Sequence, residues 1–231
     1  MKVDPEISQL VKTNELEIIG RLVDASNATL LARITPDIQV IYKPIAGERP
    51  LWDFPEGSLA GREVAAFYIS ELGNFGLVPY TTLREGPYGL GAVQIWIDTN
   101  EQIDVVEVAQ QKLPKLRLMA LFDAVINNTD RKFGHILFVD REKIYGVDHG
   151  VSFHKEDKLR TVLWQWSGAT LQADEVKGLR DLLEKLDEKY LTSLISPAEV
   201  TALRFRITRL LENGVFPEPS PEWPAVPWPP Y

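Results

Sequence analysis

The spacing of apolar positions changes along the chain, and with it the predicted element type. In the first third the apolar and polar positions alternate. "LEIIGRLVDASNATLLARI" holds two apolar runs around the polar "DASN", Asp24 to Asn27, which is a hairpin pattern. "IQVIYKP", Ile38 to Pro44, alternates as a third strand that Pro44 ends. "ERPLWDFPEG" is punctuated by Pro and Gly and reads as a loop. From Ser58 the period lengthens. "SLAGREVAAFYISELG" sets Val64, Phe67, Tyr68 and Leu72 on one side of a helix, with Gly73 as the expected C′ residue. Two further strands, in "LVPYTTLRE" and "LGAVQIWID", flank the turn "GPYG".

Beyond about residue 98 the pattern is helical. "KLRLMALFDAVINN", Lys115 to Asn128, is apolar around most of its circumference, as a buried helix is. "HILFVD" and "KIYGVD" form a short hairpin around "REK". "DEVKGLRDLLEKLDEKYLTSLI" is amphipathic. "SPAEVTALRFRITRLLENG" opens with Ser196 as N-cap, Pro197 at the first helical position and Glu199 three residues after the cap. That is a capping box, and Asn213-Gly214 stops the helix. The last 15 residues, 217–231, hold 7 prolines, so a polyproline-like or irregular tail follows, draping its tryptophans over the domain or offering them to a partner protein. Strands first and helices after predict an α+β fold in two lobes rather than a doubly wound sheet. The expected units are a β-rich 1–97, a helical 98–216 and the tail 217–231.

Composition narrows the function classes. A net charge of −8 without a basic stripe argues against nucleic acid. The absence of cysteine excludes disulfides, thiolate metal sites and a cysteine nucleophile. No apolar run approaches the 18 residues of a membrane span and "MKVDPEISQL" has no signal-like core, so the expected location is cytoplasmic.

Few residues are placed where they need a chemical reason. Lys43 sits in an apolar strand, where an ammonium needs a partner or ligand. Glu63 lies early in the next helix and can supply the partner. Asp130 follows a long buried helix, in a loop. His135 comes five residues later, before the strand "ILFVD". Asp148 ends the second hairpin strand and precedes His149-Gly150. This layout can bring two carboxylates to one cleft mouth, where they could hold a hard divalent cation on phosphates.

These residues carry a resemblance. "DRKFGHIL" resembles the catalytic loop D-R-x-x-x-N-I-L of the phosphatidylinositol 3-/4-kinase superfamily. "VDHG" resembles its D-F-G, "VIYKP" its ATP-binding lysine strand and "AVQIWID" its hinge. The whole is most similar to small bacterial proteins described as phosphatidylinositol 3-/4-kinase-like, and more distantly to HipA-type kinases. The resemblance covers about residues 16–165 and implies a two-lobed kinase-like fold whose first lobe covers a nucleotide. It implies ATP as cofactor with Mg²⁺ or Mn²⁺. By position, Lys43 would bind phosphate oxygens with Glu63 aligning it. The backbone of Gln94, Ile95, Trp96 and Ile97 would meet adenine. Asp130 would orient or deprotonate the acceptor hydroxyl. Asp148 would bind metal, with His135 at the second metal position, and Ser26 and Asn27 would cover the phosphates.

The chain departs from that pattern at His135, where the superfamily has Asn. Imidazole is softer than an amide oxygen and suits Mn²⁺ better than Mg²⁺. His154, Lys155, Lys158 and Arg160, after Asp148, could meet an anionic substrate, but no inositol-phosphate pocket is legible. The expected acceptor is therefore a protein or small-molecule hydroxyl rather than a lipid. Two other readings stay open. One is a pseudokinase that binds nucleotide and scaffolds a partner. The other is a metal-dependent hydrolase using His135, His149, Asp130 and Asp148.

Overall fold

The alternating runs of the first third pair into one antiparallel sheet. A computed structural model describes residues 4–22 and 27–231. Strands β1 (Glu17–Arg21), β2 (Leu30–Thr35), β3 (Ile38–Pro44), β4 (Thr81–Gly86) and β5 (Gly89–Ile95) lie in the order β1-β2-β3-β5-β4. Period-two alternation gives the sheet two different faces. Val40, Tyr42 and Val93 turn to one face and pack with Val11 and Leu16, under α1 (Pro5–Thr13). Lys43, one residue on, turns to the other face, opposite Ala92 of β5. Helix α1 is not among the predicted elements, although Ile7, Leu10 and Val11 recur at helical spacing; Asp4 caps it by accepting from the Glu6 N–H at 2.8 Å and Pro5 opens it.

Helix α2 (Leu59–Leu72) crosses behind the sheet. Ser58 stands at its N-cap position but makes no capping bond. The Glu48 carboxylate takes that place, accepting from Leu59 N (3.2 Å) and Ala60 N (2.9 Å). Gly73 does not adopt the expected left-handed conformation (φ −83°). Asn74 does, at φ 55°.

The helical lobe holds α3 (Val105–Ala109), α4 (Pro114–Ile126), the β6 (Ile136–Phe138) and β7 (Ile144–Gly146) hairpin, α5 (Ala173–Lys185), α6 (Glu188–Leu191) and α7 (Pro197–Asn213). Met119, Phe122, Ile126, Leu182, Leu203 and Ile207 are among its fully buried residues. The amphipathic stretch after residue 173 is divided into two helices, because Asp187 caps a new one by accepting from Tyr190 N at 3.0 Å. The capping box of α7 forms as the sequence predicts, and Gly214 ends the helix at φ 66°.

The lobes are tied by a buried ion pair. Arg62 of α2 reaches Glu199 of α7 at 2.6 Å and donates to the Ser152 carbonyl at 2.7 Å. Among the described residues no helix is long and apolar enough to cross a membrane. The architecture is the two-lobed α+β fold expected from the order of strands and helices.

Candidate functional site

Lys43 is where the two lobes meet chemically. Strand β3 delivers it to the inner sheet face and α2 delivers Glu63 opposite. Their side chains form a short ion pair, and Lys43 Nζ donates to Asp148 Oδ1 at 2.9 Å. Burial alone would lower the lysine ammonium, but Asp148 and Glu63 outweigh it and hold it above its ordinary value. Lys43 in turn is the main cause that holds the Asp148 carboxyl below the usual range, against burial and with help from His135. The second oxygen of Glu63 accepts from the His149 N–H at 3.0 Å, so one carboxylate fixes both the lysine and the segment following Asp148.

Asp148 itself is in a left-handed conformation, φ 58°. Asp tolerates that region better than most side chains, and such strain persists where surrounding bonds impose it. Here the bonds on both sides are visible. The Arg131 guanidinium donates to the Val147 carbonyl at 3.2 Å and the His149 backbone is held by Glu63. The Asp148 carboxylate is left partly open to the cleft, 48% exposed.

Arg131 organises the loop after α4, the position expected for the catalytic loop. It has no exposed surface and lies beside Asp123 of α4, which is equally buried. Its Nε donates to Asp123 at 3.0 Å and its Nη2 at 2.9 Å. It also donates to the His135 carbonyl (3.1 Å) and meets His149 Nε2 at 2.8 Å. Asn128 completes the set, donating to Asp123 at 3.0 Å and accepting from the Asp130 N–H at 3.0 Å. Asp123 and Arg131 did not stand out as site residues in the sequence. The available signal was an acid in the apolar run "LMALFDAVI", since a buried carboxylate requires a partner.

Asp130 emerges from this scaffold with its carboxylate 24% exposed and 3.3 Å from Lys132 Nζ. Burial pushes its carboxyl up, with Lys132 and His135 opposing and Asp148 adding. His135 bridges the two aspartates. Its Nδ1 lies 2.8 Å from the Asp130 backbone carbonyl, and its Nε2 lies 3.4 Å from Asp148 Oδ2. A carbonyl can only accept, so Nδ1 carries the proton. Burial lowers the ring below its ordinary value, with Asp148 opposing; in its neutral form, with the proton on Nδ1, the ring turns a lone pair at Nε2 toward a carboxylate oxygen. Two acceptors facing each other suit a cation between them. Ligands sharing one divalent cation at roughly 2.1–2.4 Å stand about 3–3.4 Å apart when adjacent. His135 and Asp148 thus fit a metal pair, although among the described residues no three His, Asp or Glu side chains converge as a complete set. The remaining ligands would have to be phosphate oxygens or water.

The other expected site residues are placed as follows. Asn27 lines a cavity of about 30 Å³ with Lys43, Glu63 and Asp148, and its Oδ1 accepts from the Arg49 N–H at 2.8 Å. Ser26, with Asp24, lies outside the described residues. Gln94 and Ile95 belong to β5, paired with Ile41 and Val40, and the Gln94 side chain donates to Thr81 Oγ1 at 2.8 Å. Ile95 N donates to Tyr80 O and Trp96 N to Gln39 O, both at 3.0 Å. The sheet thus runs into the expected hinge and uses these amides, which leaves Ile97 as the hinge position outside the ladder. A larger cavity of about 530 Å³ includes Ile38, Tyr80, Ile95 and Tyr145 and none of Lys43, Glu63, Asp130 or Asp148.

The basic residues after Asp148, which could have met an anionic substrate, do not form an anion-facing patch. Lys158 is buried between Asp53 (3.0 Å) and the rings of Trp52 and Trp223. His154 is buried against Phe54, and Arg160 donates to the Thr129 carbonyl at 2.7 Å. Lys155 alone of the four is exposed. The hydrolase reading also loses a ligand, because His149 is fully buried with Nε2 committed to Arg131, and its ring is held well below its ordinary pKa chiefly by burial.

No family model matches the chain. Among solved structures it is similar to the Golgi casein kinase with Mn/ADP bound (TM-score 0.59, 12% identity, 90% of this chain and 74% of that one). A second Golgi casein kinase structure gives a TM-score of 0.57 at 13% identity, with the same coverage. At these identities the likeness is one of fold, and that fold is kinase-like. Protein Rv2133c of Mycobacterium tuberculosis is 40% identical over 256 aligned positions, which cover 93% of this chain and 92% of that protein. The chain therefore belongs to the same family as Protein Rv2133c.

Proposed function

We propose that the protein is an ATP-dependent phosphotransferase of the phosphatidylinositol 3-/4-kinase-like kind. One observation carries the reading: a single lysine ammonium held between a helix glutamate and an aspartate at the start of the D-H-G segment, in a kinase-like fold. Charge neutralisation and positioning are most of what phosphoryl transfer needs, and Lys43, Glu63, Asp130 and Asp148 supply them. Lys43 would bind phosphate oxygens, with Glu63 holding it in place. Asp130 would accept the proton of the acceptor hydroxyl as its oxygen bonds to the γ-phosphorus and the bond from that phosphorus to the bridging oxygen of ADP breaks. Asp148 and His135 would hold the divalent cation, whose charge would offset that of the phosphates. Residues 1–97 would then be the nucleotide-covering lobe and 98–216 the lobe bearing the catalytic loop. The acceptor is a protein or small-molecule hydroxyl, because after Asp148 Lys158 is held by Asp53 and Arg160 by the Thr129 carbonyl, leaving Lys155 as the exposed cation of the segment rather than a cluster for a lipid headgroup.

Titration calorimetry of ATP with Mg²⁺ and then Mn²⁺ tests this. Asp148→Asn should weaken metal-dependent binding about tenfold or more, the effect of one charge-assisted contact of roughly 1.5–3 kcal/mol. Asp130→Ala should remove turnover and spare nucleotide binding. No binding by the wild type with either metal, or full activity in Asp130→Ala, refutes the assignment.

A second reading, a nucleotide-binding pseudokinase, is favoured by His135 standing where the superfamily has Asn. Metal-dependent ATP binding with no transfer to any acceptor selects it.

A further inference from the structure

The C-terminal tail is docked beside Asp130. The Phe133 N–H, in the catalytic loop, donates to the Pro230 carbonyl at 2.8 Å. The Thr161 N–H donates to the Ala225 carbonyl at 3.0 Å, and Trp164 Nε1 donates to the same oxygen at 2.8 Å. Thr161 and the loop are one surface, because Arg131 and Thr161 form a parallel bridge, with Arg131 N donating to Arg160 O and Val162 N to Arg131 O, both at 3.1 Å. The ring of Trp223 covers Lys158 Nζ at 4.6 Å. The anchors of the tail at residues 225 and 230 thus lie on either side of the Arg131–Lys132 stretch that follows Asp130.

Three features of the occupant say what the surface fits. The surface contributes N–H donors and the tail contributes backbone carbonyls, so these hydrogen bonds leave the tail's side chains free to vary, while the Trp223 ring over Lys158 and the buried Pro227 add side-chain contacts. Pro227 is buried, but Val226 and Trp228 point largely to solvent, Trp228 being 88% exposed. The stretch "PEWPAVPWPP", Pro221 to Pro230, contains no serine, threonine or tyrosine. We propose that this face of the catalytic loop is a binding surface for a polypeptide segment, occupied here by a tail that has no acceptor hydroxyl between its two anchors, so that the tail holds the site against its protein acceptors. The inference rests on the phosphotransferase reading and specifies its substrate class, a peptide segment bearing a hydroxyl. A peptide acceptor gains access by displacing the tail from the Phe133 and Thr161 amides.

The test uses the full chain. Trp223→Ala with Pro227→Asp removes the ring over Lys158 and the buried proline. A second variant replaces residues 223–230 with a Gly/Ser sequence of equal length. The probe is a fluorescent peptide of residues 219–231, and a second peptide carries Val226→Ser. Anisotropy without nucleotide should show both peptides binding the tail-released variants at least about tenfold more tightly than wild type, a difference of one decade in Kd. Hydrogen exchange at the Phe133 and Thr161 amides should be slow in wild type, fast in the variants and slow again with peptide. Equal weak binding to wild type and variants overturns the proposal. So does continued protection of both amides in both variants, and so does peptide binding that leaves them unprotected. The two readings fail separately. A chain that transfers phosphate without binding peptide keeps the phosphotransferase reading and loses this one. A chain that binds peptide but no nucleotide keeps the peptide surface and loses its acceptor role.

Discussion

Replacing Asp123 by asparagine leaves a fully buried guanidinium without its counter-charge. Asp123 and Arg131 are both inaccessible to solvent, and the carboxylate accepts from Arg131 at Nε and Nη2 and from Asn128 at Nδ2. The substitution keeps the shape but turns part of this acceptor surface into an amide N–H₂, which faces donors. Removing one partner of a buried ion pair typically costs about 3–5 kcal/mol. For a chain of this length, each kcal/mol moves the melting temperature by about 2–4 °C, so the expected loss is roughly 6–20 °C. Urea unfolding followed by the fluorescence of the 6 tryptophans measures the free energy directly. The same guanidinium holds the carbonyls of His135 and Val147 and the ring of His149, so metal-dependent nucleotide affinity should fall in the variant while it is still folded. A variant within about 1 kcal/mol of wild type, well under the buried-pair range, refutes the claim that Asp123 compensates Arg131.

Three other outcomes are expected. Glu63→Gln keeps a carbonyl near the His149 N–H but loses the charge that aligns Lys43, so the rate of transfer should drop by about a hundredfold, as misplacement of a positioned group does, with nucleotide still bound; steady-state kinetics beside calorimetry separates the two effects. Gly61→Ala places a methyl group against the Leu194 carbonyl where α2 meets the helical lobe, and should lower stability by about 1–3 kcal/mol in the same urea assay. Ser196→Ala breaks the capping box of α7 and should cost about 0.5–2 kcal/mol, with helix loss visible by circular dichroism near the midpoint.

The features legible along the chain are local. The alternation in "IQVIYKP" and the period of "REVAAFYISEL" specify a strand and a helix, because side-chain spacing follows backbone geometry within a few residues. The Ser196–Glu199 box and Gly214 mark both ends of α7 for the same reason. The candidates Lys43, Glu63, Asp130, His135 and Asp148 were also legible, since an ionisable residue beside an apolar run needs a partner. The structure brings all five together.

Partners across distance were not legible. Arg62 meets Glu199 across 137 positions, and Glu48 rather than Ser58 caps α2. Arg131 looked like part of a motif, and its role as the link between α4, the loop and the D-H-G segment appears only when Asp123 is beside it. Lys158 read as a cation free for substrate, and folding encloses it between Asp53 and two indole rings. In the expected hinge the Ile95 and Trp96 amides donate to Tyr80 and Gln39 carbonyls, pairings that no pattern in "AVQIWID" encodes. The tail is legible as an irregular segment that drapes its tryptophans over the domain or offers them to a partner; that Trp223 covers Lys158 and that the Phe133 and Thr161 amides hold its carbonyls is encoded by no pattern in the tail. In each case the deciding quantity is how a charge or hydrogen-bonding group is compensated once water is removed. That depends on which distant groups the fold places within about 3 Å, and only the tertiary structure decides it.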